Sequence, residues 1–232
     1  MISDLRHVRD YFEASAVARG DATANLYLPS VGPELTALYD HVASELLDLL
    51  RPAPGWKVLD IGCGTGELLS RIASACPDIV GVDLSPAMAS IVVSKGHRAL
   101  AYDGGALPFE DGAFDLALIY QVIINLPDAP SARSLVQEAL RVTRSGGKVL
   151  LGAVPHPAWS GFPTHRIAWW VRAKISARRL LFGQNGVPYF SYDPALFEQM
   201  FEQRLVAKVS YASCGIMREG WNTKYHVILT KA

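Results

Sequence analysis

Val58-Leu59-Asp60-Ile61-Gly62-Cys63-Gly64-Thr65-Gly66-Glu67-Leu68-Leu69 is the stretch on which the fold turns. A short apolar run ends beside an acid, three glycines follow at alternate positions, and a helical pattern starts at Glu67. Such a run bounded by turn residues reads as a buried strand over 57–61. The glycines let backbone pass close to a ligand with no Cβ in the way, and the following helix is expected to point N–H groups into the same space. An anionic group belongs there. A glycine triplet after a strand also makes an ordinary turn, so the context has to decide.

Residues 79–83 form the next apolar run and end in Asp83, nineteen residues after Gly64. A carboxylate at that place accepts hydrogen bonds from both hydroxyls of a ribose. A dinucleotide-binding turn has the pattern G-x-G-x-x-G, whereas here Glu67 stands where the third glycine would fall, so the nicotinamide-dependent dehydrogenase reading fails. A carboxylate at the helix start opposes a bound pyrophosphate far more than a ligand with one carboxylate and an ammonium group. S-adenosylmethionine is such a ligand.

Working outward, the same unit repeats more loosely. Apolar positions Leu35, Leu38, Val42, Leu46, Leu49 and Leu50 recur at helical spacing over 33–50, and Arg51-Pro52-Ala53-Pro54-Gly55 ends that helix. Helices are expected over 67–75, 86–95 and 130–142, with strands over 98–102, 114–119 and 148–154. Strands separated by helices imply parallel pairing with right-handed crossovers. The runs 205–211 and 225–230 have no helical pattern between them and are expected to pair antiparallel. The expected fold is α/β: a Rossmann-like, seven-stranded, mostly parallel sheet with one antiparallel C-terminal strand, an N-terminal helical extension and an inserted lid. As a single domain over 1–232, it divides into the extension (1–54), a cofactor-binding core (55–154), a substrate lid (155–190) and a C-terminal helix and hairpin (191–232).

Composition narrows the function. The 232 residues carry 22 basic and 22 acidic side chains, a formal net charge of zero, which argues against a nucleic-acid binder. The apolar stretch 116–126 is interrupted by Gln121 and falls short of the ~18 residues a membrane span needs. The first twenty residues carry Asp4, Arg6, Arg9, Asp10 and Glu13, the wrong pattern for a secretion signal. Cys63, Cys76 and Cys214 are scattered and odd in number, pointing to neither a disulfide framework nor a zinc site. A reduced, cytoplasmic compartment is expected.

The stretch Asp60-Ile61-Gly62-Cys63-Gly64-Thr65-Gly66 resembles the signature loop of class I S-adenosylmethionine-dependent methyltransferases, and further segments agree in order. Gly81-Val82-Asp83-Leu84-Ser85 is similar to the family's ribose-binding strand end. Asp103-Gly104-Gly105-Ala106-Leu107-Pro108-Phe109 is similar to its adenine-holding stretch, and Phe114-Asp115-Leu116 to the start of its fourth strand. Leu140-Arg141-Val142-Thr143-Arg144-Ser145-Gly146-Gly147 is similar to its turn before strand five. The match covers roughly residues 56–154 and resembles most the small-molecule branch that includes quinone-biosynthesis enzymes.

The resemblance implies a role for each matching residue. Gly62, Gly64 and Gly66 would lie against the methionine half of S-adenosylmethionine, with Asp60 near its ammonium group. Asp83 would take the ribose hydroxyls, Leu84 and Met88 would flank the adenine ring, and Asp103 with the Gly104 N–H would read its edge. Met88 is also a good core filler, and Asp103 before two glycines is a good turn former by itself.

After strand four the sequence departs from the family. Many relatives carry a His-His pair before Leu-Pro-Asp, and here the run is Tyr120-Gln121-Val122-Ile123-Ile124-Asn125-Leu126-Pro127-Asp128. Tyr120 and Gln121 leave the strand at its carboxyl end, where ligands bind in open α/β sheets, so one of them is expected to face the sulfonium or the substrate, and Tyr120 is the candidate for both cofactor contact and catalysis. His156, directly after strand five, and His165 are the other candidate bases; His156 also sits between two prolines as a turn residue would. No cluster of hard oxygen ligands is visible after strands four and five, so no metal is expected.

Residues 155–190 hold seven aromatic residues, among them Trp159, Trp169 and Trp170, together with Arg166, Arg172, Lys174, Arg178 and Arg179 and no acid, a formal charge of +5. A lid that shapes the acceptor pocket is the expected role, with a solvated basic helix or a contact between copies in a homodimer as the alternatives. The sequence is thus read as an enzyme moving a methyl group from S-adenosylmethionine to an O or N atom of a small, anionic acceptor. The alternative is a non-catalytic subunit that binds S-adenosylmethionine for a partner.

Overall fold

The structure is a computed structural model and describes residues 5–20, 33–126, 128–155, 192, 195–197, 205–211 and 224–232. The helices are α1 (Arg6–Arg19), α2 (Pro33–Leu50), α3 (Glu67–Ile72), α4 (Pro86–Ser94) and α5 (Ala129–Val142). The strands are β1 (Val58–Ile61), β2 (Ile79–Asp83), β3 (Arg98–Ala101), β4 (Phe114–Tyr120), β5 (Thr143–Pro155), β6 (Leu205–Tyr211) and β7 (Lys224–Lys231). They form one sheet in the order β3-β2-β1-β4-β5-β7-β6. Strands β1 to β5 pair in parallel, and β7 is antiparallel to both β5 and β6.

Alternation along the strands builds two cores. Leu59, Ile61, Val82, Ala117, Ile119, Val149, Leu151, Val227 and Leu229 face α5, which buries Ala132, Leu135, Val136 and Ala139 against them. Val58, Ile79, Leu116, Leu118, Leu150 and Ile228 face the other way, onto Val42, Ala43, Leu46 and Leu50 of α2 and Leu68, Leu69 and Ile72 of α3. Helices on both faces explain why the central strands read as continuous apolar runs rather than as alternating ones. Strand β3 lies at the sheet edge, and its residues are mostly exposed.

Helix starts follow local chemistry. Ser85 precedes α4 and its hydroxyl accepts from the Met88 N–H at 3.1 Å, with Pro86 in the first turn. Asp128 does the same for α5 through the Ser131 N–H at 2.7 Å. Two boundaries differ from expectation. Strand β5 begins at Thr143, which pairs with Phe114 before the register shifts to Leu116 opposite Lys148, so the Arg144–Gly147 turn interrupts a strand already begun. Helix α3 stops at Ile72, and its last turn tightens as the Ala75 N–H donates to the Ile72 carbonyl at 3.0 Å.

The crossovers position the site. Between β1 and β5 every connection contains a helix except β3 to β4, where residues 102–113 run without one. The carboxyl ends of β1, β2 and β4 come side by side, because Asp60 is opposite Gly81 in β2 and Leu118 in β4.

Candidate functional site

The loop after β1 makes three left-handed turns, at Gly62 (φ 76°), Gly64 (φ 52°) and Gly66 (φ 81°). A Cβ at Gly62 would also run into the Val122 side chain. This curl packs the loop against β2. The N–H groups of Gly62 and Cys63 donate to the Val82 carbonyl at 2.7 and 3.1 Å, that of Gly66 to the Cys63 carbonyl at 2.9 Å, and that of Gly64 to Asp83 Oδ2 at 2.8 Å. These four N–H groups are thus spent inside the fold, and what the glycines leave to a ligand is close approach of backbone without a Cβ. Glu67 acts differently from expectation too. Lys95 Nζ meets its Oε1 at 2.5 Å and Arg71 Nη1 its Oε2 at 3.1 Å, so its charge is balanced within the protein.

What the site presents is negative charge. Asp83 is buried, with Oδ1 accepting from the Ser85 N–H at 2.9 Å and Oδ2 from Gly64. Burial pushes its carboxyl up to about 6 despite those two bonds, and the nearby Glu13 carboxylate adds to the effect. Asp60 is 3% exposed, and burial followed by repulsion from Asp83 raises it to about 7. Both influences on the Asp60 carboxyl, burial and the neighbouring Asp83, raise it, and among the described residues no hydrogen bond offsets them as two do at Asp83. A buried carboxylate in that condition is stabilised by a cation placed beside it, and a carboxylate held like Asp83 keeps lone pairs for hydroxyl donors. The pair fits a ligand that brings positive charge to Asp60 and hydroxyls to Asp83.

Two residues that sequence reasoning did not single out complete this side. Glu13 of α1 reaches the start of α4, where its Oε2 accepts from Ser85 Oγ at 2.5 Å and from the Ala87 N–H at 3.0 Å. Tyr102 follows β3, donates its N–H to the Asp83 carbonyl at 3.0 Å, and has a phenol whose pKa is raised by burial and by the charges of Asp83 and Asp103. Neither has a sequence signal: Glu13 is 72 positions from Ser85, and Tyr102 reads as the end of a strand.

The remaining candidates separate. Leu84 is half-buried, and its side chain with that of Leu5 closes over Gly104 (φ 85°), where a Cβ would lie 3.0–3.1 Å from both. Met88 is 1% exposed and packs with Ala16 of α1, the core-filling role. Asp103 is exposed, and its Oδ1 accepts from the Gly105 N–H at 2.9 Å, which is the turn-forming role. Tyr120 ends β4 with its ring laid over Gly152 of β5 and 6.0 Å from the ring of His226. His226 is fully buried on β7, takes the Ala153 N–H on Nδ1 at 3.0 Å, and has Nε2 4.0 Å from Glu45. It was missed because only the insertion of β7 beside β5 brings residue 226 to Tyr120; the one hint is a histidine inside an apolar run. Gln121 (φ 58°) and Ala153 (φ 53°) lie at these same strand ends in a conformation that costs non-glycine residues about 1–3 kcal/mol. His156, His165 and the basic insert lie outside the described residues. No three His, Cys, Asp or Glu side chains cluster as a metal site among the described residues, and no described helix is long and apolar enough to cross a membrane.

Comparison with known proteins bears on the same region. Residues 59–151 match the protein family described as "Methyltransferase domain". An uncharacterized protein of Methanocaldococcus jannaschii is 36% identical over 118 residues, 51% of this chain and 54% of that protein. The demethylmenaquinone methyltransferase of Renibacterium salmoninarum is 34% identical over 132 residues, 55% of this chain and 54% of its own length. The chain spans about half the length of these curated relatives. Among solved structures, the magnesium protoporphyrin IX methyltransferase of Synechocystis PCC 6803 with bound SAH superposes with a TM-score of 0.65 at 20% identity, over 97% of this chain and 98% of that one. At that identity the likeness is one of fold. The resemblance to class I methyltransferases holds, with a Rossmann-like sheet in common and a family match that opens at the glycine loop and runs to β5.

Proposed function

We propose that this chain, whose residues 59–151 carry the methyltransferase domain, is an enzyme that transfers a methyl group from S-adenosylmethionine to a small-molecule acceptor. The observation that carries the reading is the pair of buried carboxylates at the glycine loop, Asp60 and Asp83, both raised by burial and suited to a ligand with an ammonium group and a ribose. In this reading Asp60 faces the ammonium group and Asp83 the ribose hydroxyls. Gly62, Gly64 and Gly66 keep the loop close to the methionine half, Leu84 borders the adenine with the buried Met88 supporting it from the core, and Asp103 and Gly104 lie at its edge.

Bound S-adenosylmethionine supplies a methyl group on a sulfonium, already reactive toward an O or N nucleophile. The protein's own work is then to bind, align and exclude water, and alignment of two reactants in one site is worth up to about 7–11 kcal/mol. Tyr120 lies at the carboxyl end of β4, beside the strand that carries Asp60, and is the described candidate to meet the acceptor. His156 and His165 follow β5 and are the candidate bases where the acceptor is a hydroxyl that must lose a proton. The +5 charge and the aromatic residues of 155–190 favour an acceptor with an acidic group and an apolar or ring portion.

The test is transfer from methyl-labelled S-adenosylmethionine to a panel of acceptors that starts with the quinone and tetrapyrrole classes named by the relatives. Labelled product with an acidic acceptor is the expected result. Tight binding of S-adenosylhomocysteine with no transfer across the panel would favour the non-catalytic subunit, and absence of binding would end both readings.

A further inference from the structure

The connection from β3 to β4 is where the fold leaves a long loop, residues 102–113, without a helix of its own. A segment of that length in a compact sheet has to be held from outside. The holding comes from one turn of α5. Glu138 Oε2 accepts the Leu107 N–H at 2.9 Å, and Arg141 Nη2 donates to the Leu107 carbonyl at 3.0 Å, so both backbone groups of a single residue are gripped by side chains three positions apart. Arg141 Nη1 also donates to the Phe109 carbonyl at 2.9 Å and meets Asp111 at 2.8 Å. Glu138 and Arg141 lock each other, with Nε and Nη2 both donating to the carboxylate at 2.9–3.2 Å. At the other end of the loop the Asp103 side chain accepts from the Gly105 N–H two residues on, a bond within the loop itself.

We propose that Glu138 and Arg141 are positioning residues for the adenine of S-adenosylmethionine, acting from behind by fixing the loop that carries Asp103 and Gly104. The inference rests on the cofactor reading above and extends it to residues that touch no ligand. Leu107 is 3% exposed and part of the core on the α5 face, so the clamp anchors the loop four residues from Asp103. Gly104 is already fitted closely against Leu5 and Leu84, which would stand only 3.0–3.1 Å from a Cβ at this position, so a small shift of the loop changes what its edge presents. Loss of the clamp therefore alters recognition of the base more than recognition of the ribose or the amino acid portion, which other elements hold.

Calorimetry with S-adenosylhomocysteine and S-inosylhomocysteine, which has a carbonyl in place of the ring amino group, separates these effects. The wild-type protein is expected to favour S-adenosylhomocysteine by about tenfold, a difference of about 1.4 kcal/mol. In Arg141→Gln and Glu138→Gln that ratio is expected to fall below about threefold, with Arg141→Lys, which keeps the charge and one donor, in between. Near-ultraviolet circular dichroism checks that each variant is folded; if Arg141→Gln is not, Glu138→Gln and Arg141→Lys carry the test. Affinities that fall together with the ratio intact would overturn the inference and leave the clamp a purely structural device. A wild-type protein that binds neither ligand, or both equally, would instead overturn the reading of residues 103–109 on which it stands.

Discussion

Acidic side chains at the two ends of this sheet live in opposite conditions. At the amino ends of the strands, Asp115 takes the Lys57 N–H at 2.8 Å and the Arg144 guanidinium at 2.6 Å, and Asp78 pairs with Arg98. At the carboxyl ends, Asp60 and Asp83 are buried, and no described cation pairs with either. The strands are parallel and the acids are of one type, so the contrast lies in what the fold supplies to each. One end completes its charges with its own arginines, and the other keeps charge that a ligand has to complete, an arrangement concentrated at functional sites.

The largest effect that could break this contrast is expected at Asp83. Its replacement in Asp83→Ala removes hydrogen bonds to a charged group worth about 1.5–3 kcal/mol each and frees the Gly64 and Ser85 N–H groups from their common acceptor. Affinity for S-adenosylhomocysteine, measured by calorimetry, is expected to drop at least tenfold. Unchanged affinity would remove the ribose role and with it the claim that this end is unfinished without ligand.

Asp60 sharpens the contrast through pH. Its carboxyl is raised from 3.8 to about 7, so the folded chain holds that proton more tightly than the unfolded one does. Ligand-free stability from this group is therefore greatest at acid pH and declines as pH rises from about 4 to about 7. Binding of an ammonium-bearing ligand runs the other way, because it favours the ionised carboxylate. The expected results are an affinity for S-adenosylhomocysteine that increases about tenfold between pH 5.5 and 8, and its flattening in Asp60→Asn. The same variant, free of ligand, is expected to melt several degrees above wild type at pH 8. Affinity that is flat with pH in the wild type would show that no cation sits at Asp60.

How far the sequence foretold this contrast depends on the range of each interaction. Strand β1, the glycine turn and Asp83 were legible because a buried parallel strand is an apolar run, and the carboxylate lies one crossover downstream of the loop. The antiparallel β6–β7 pair was legible from two runs with no helical pattern between them. Long-range partners were not. Glu13 at the start of α4, Arg141 on the Leu107 carbonyl and His226 beside Tyr120 depend on which elements become neighbours, and no local pattern records that. The partners of the loop N–H groups were not legible for a related reason: the left-handed glycines turn them onto the Val82 carbonyl and Asp83, which only the placement of β2 supplies.

The smallest effect is expected at the finished end, and it serves as the control. Partial burial pushes Asp115 up, but the Lys57 N–H and the Arg144 guanidinium more than offset this and leave its carboxyl below the ordinary value. A depressed pKa contributes stability that is present above the unfolded value of 3.8 and is lost as pH falls through the folded one. Arg144 is 45% exposed, so solvent screens the pair, and Asp115→Asn is expected to cost no more than about 1 kcal/mol at neutral pH, a shift of about 2–4 °C in Tm. The loss is expected to shrink below pH 4, where the wild-type carboxyl also takes up its proton. Affinity for S-adenosylhomocysteine is expected to stay within twofold of wild type, because Asp115 begins β4 at the opposite end of the strand from Tyr120. If Asp115→Asn weakened binding as much as Asp83→Ala, the two ends would not be separate in function, and the raised carboxylates at Asp60 and Asp83 would reflect burial alone.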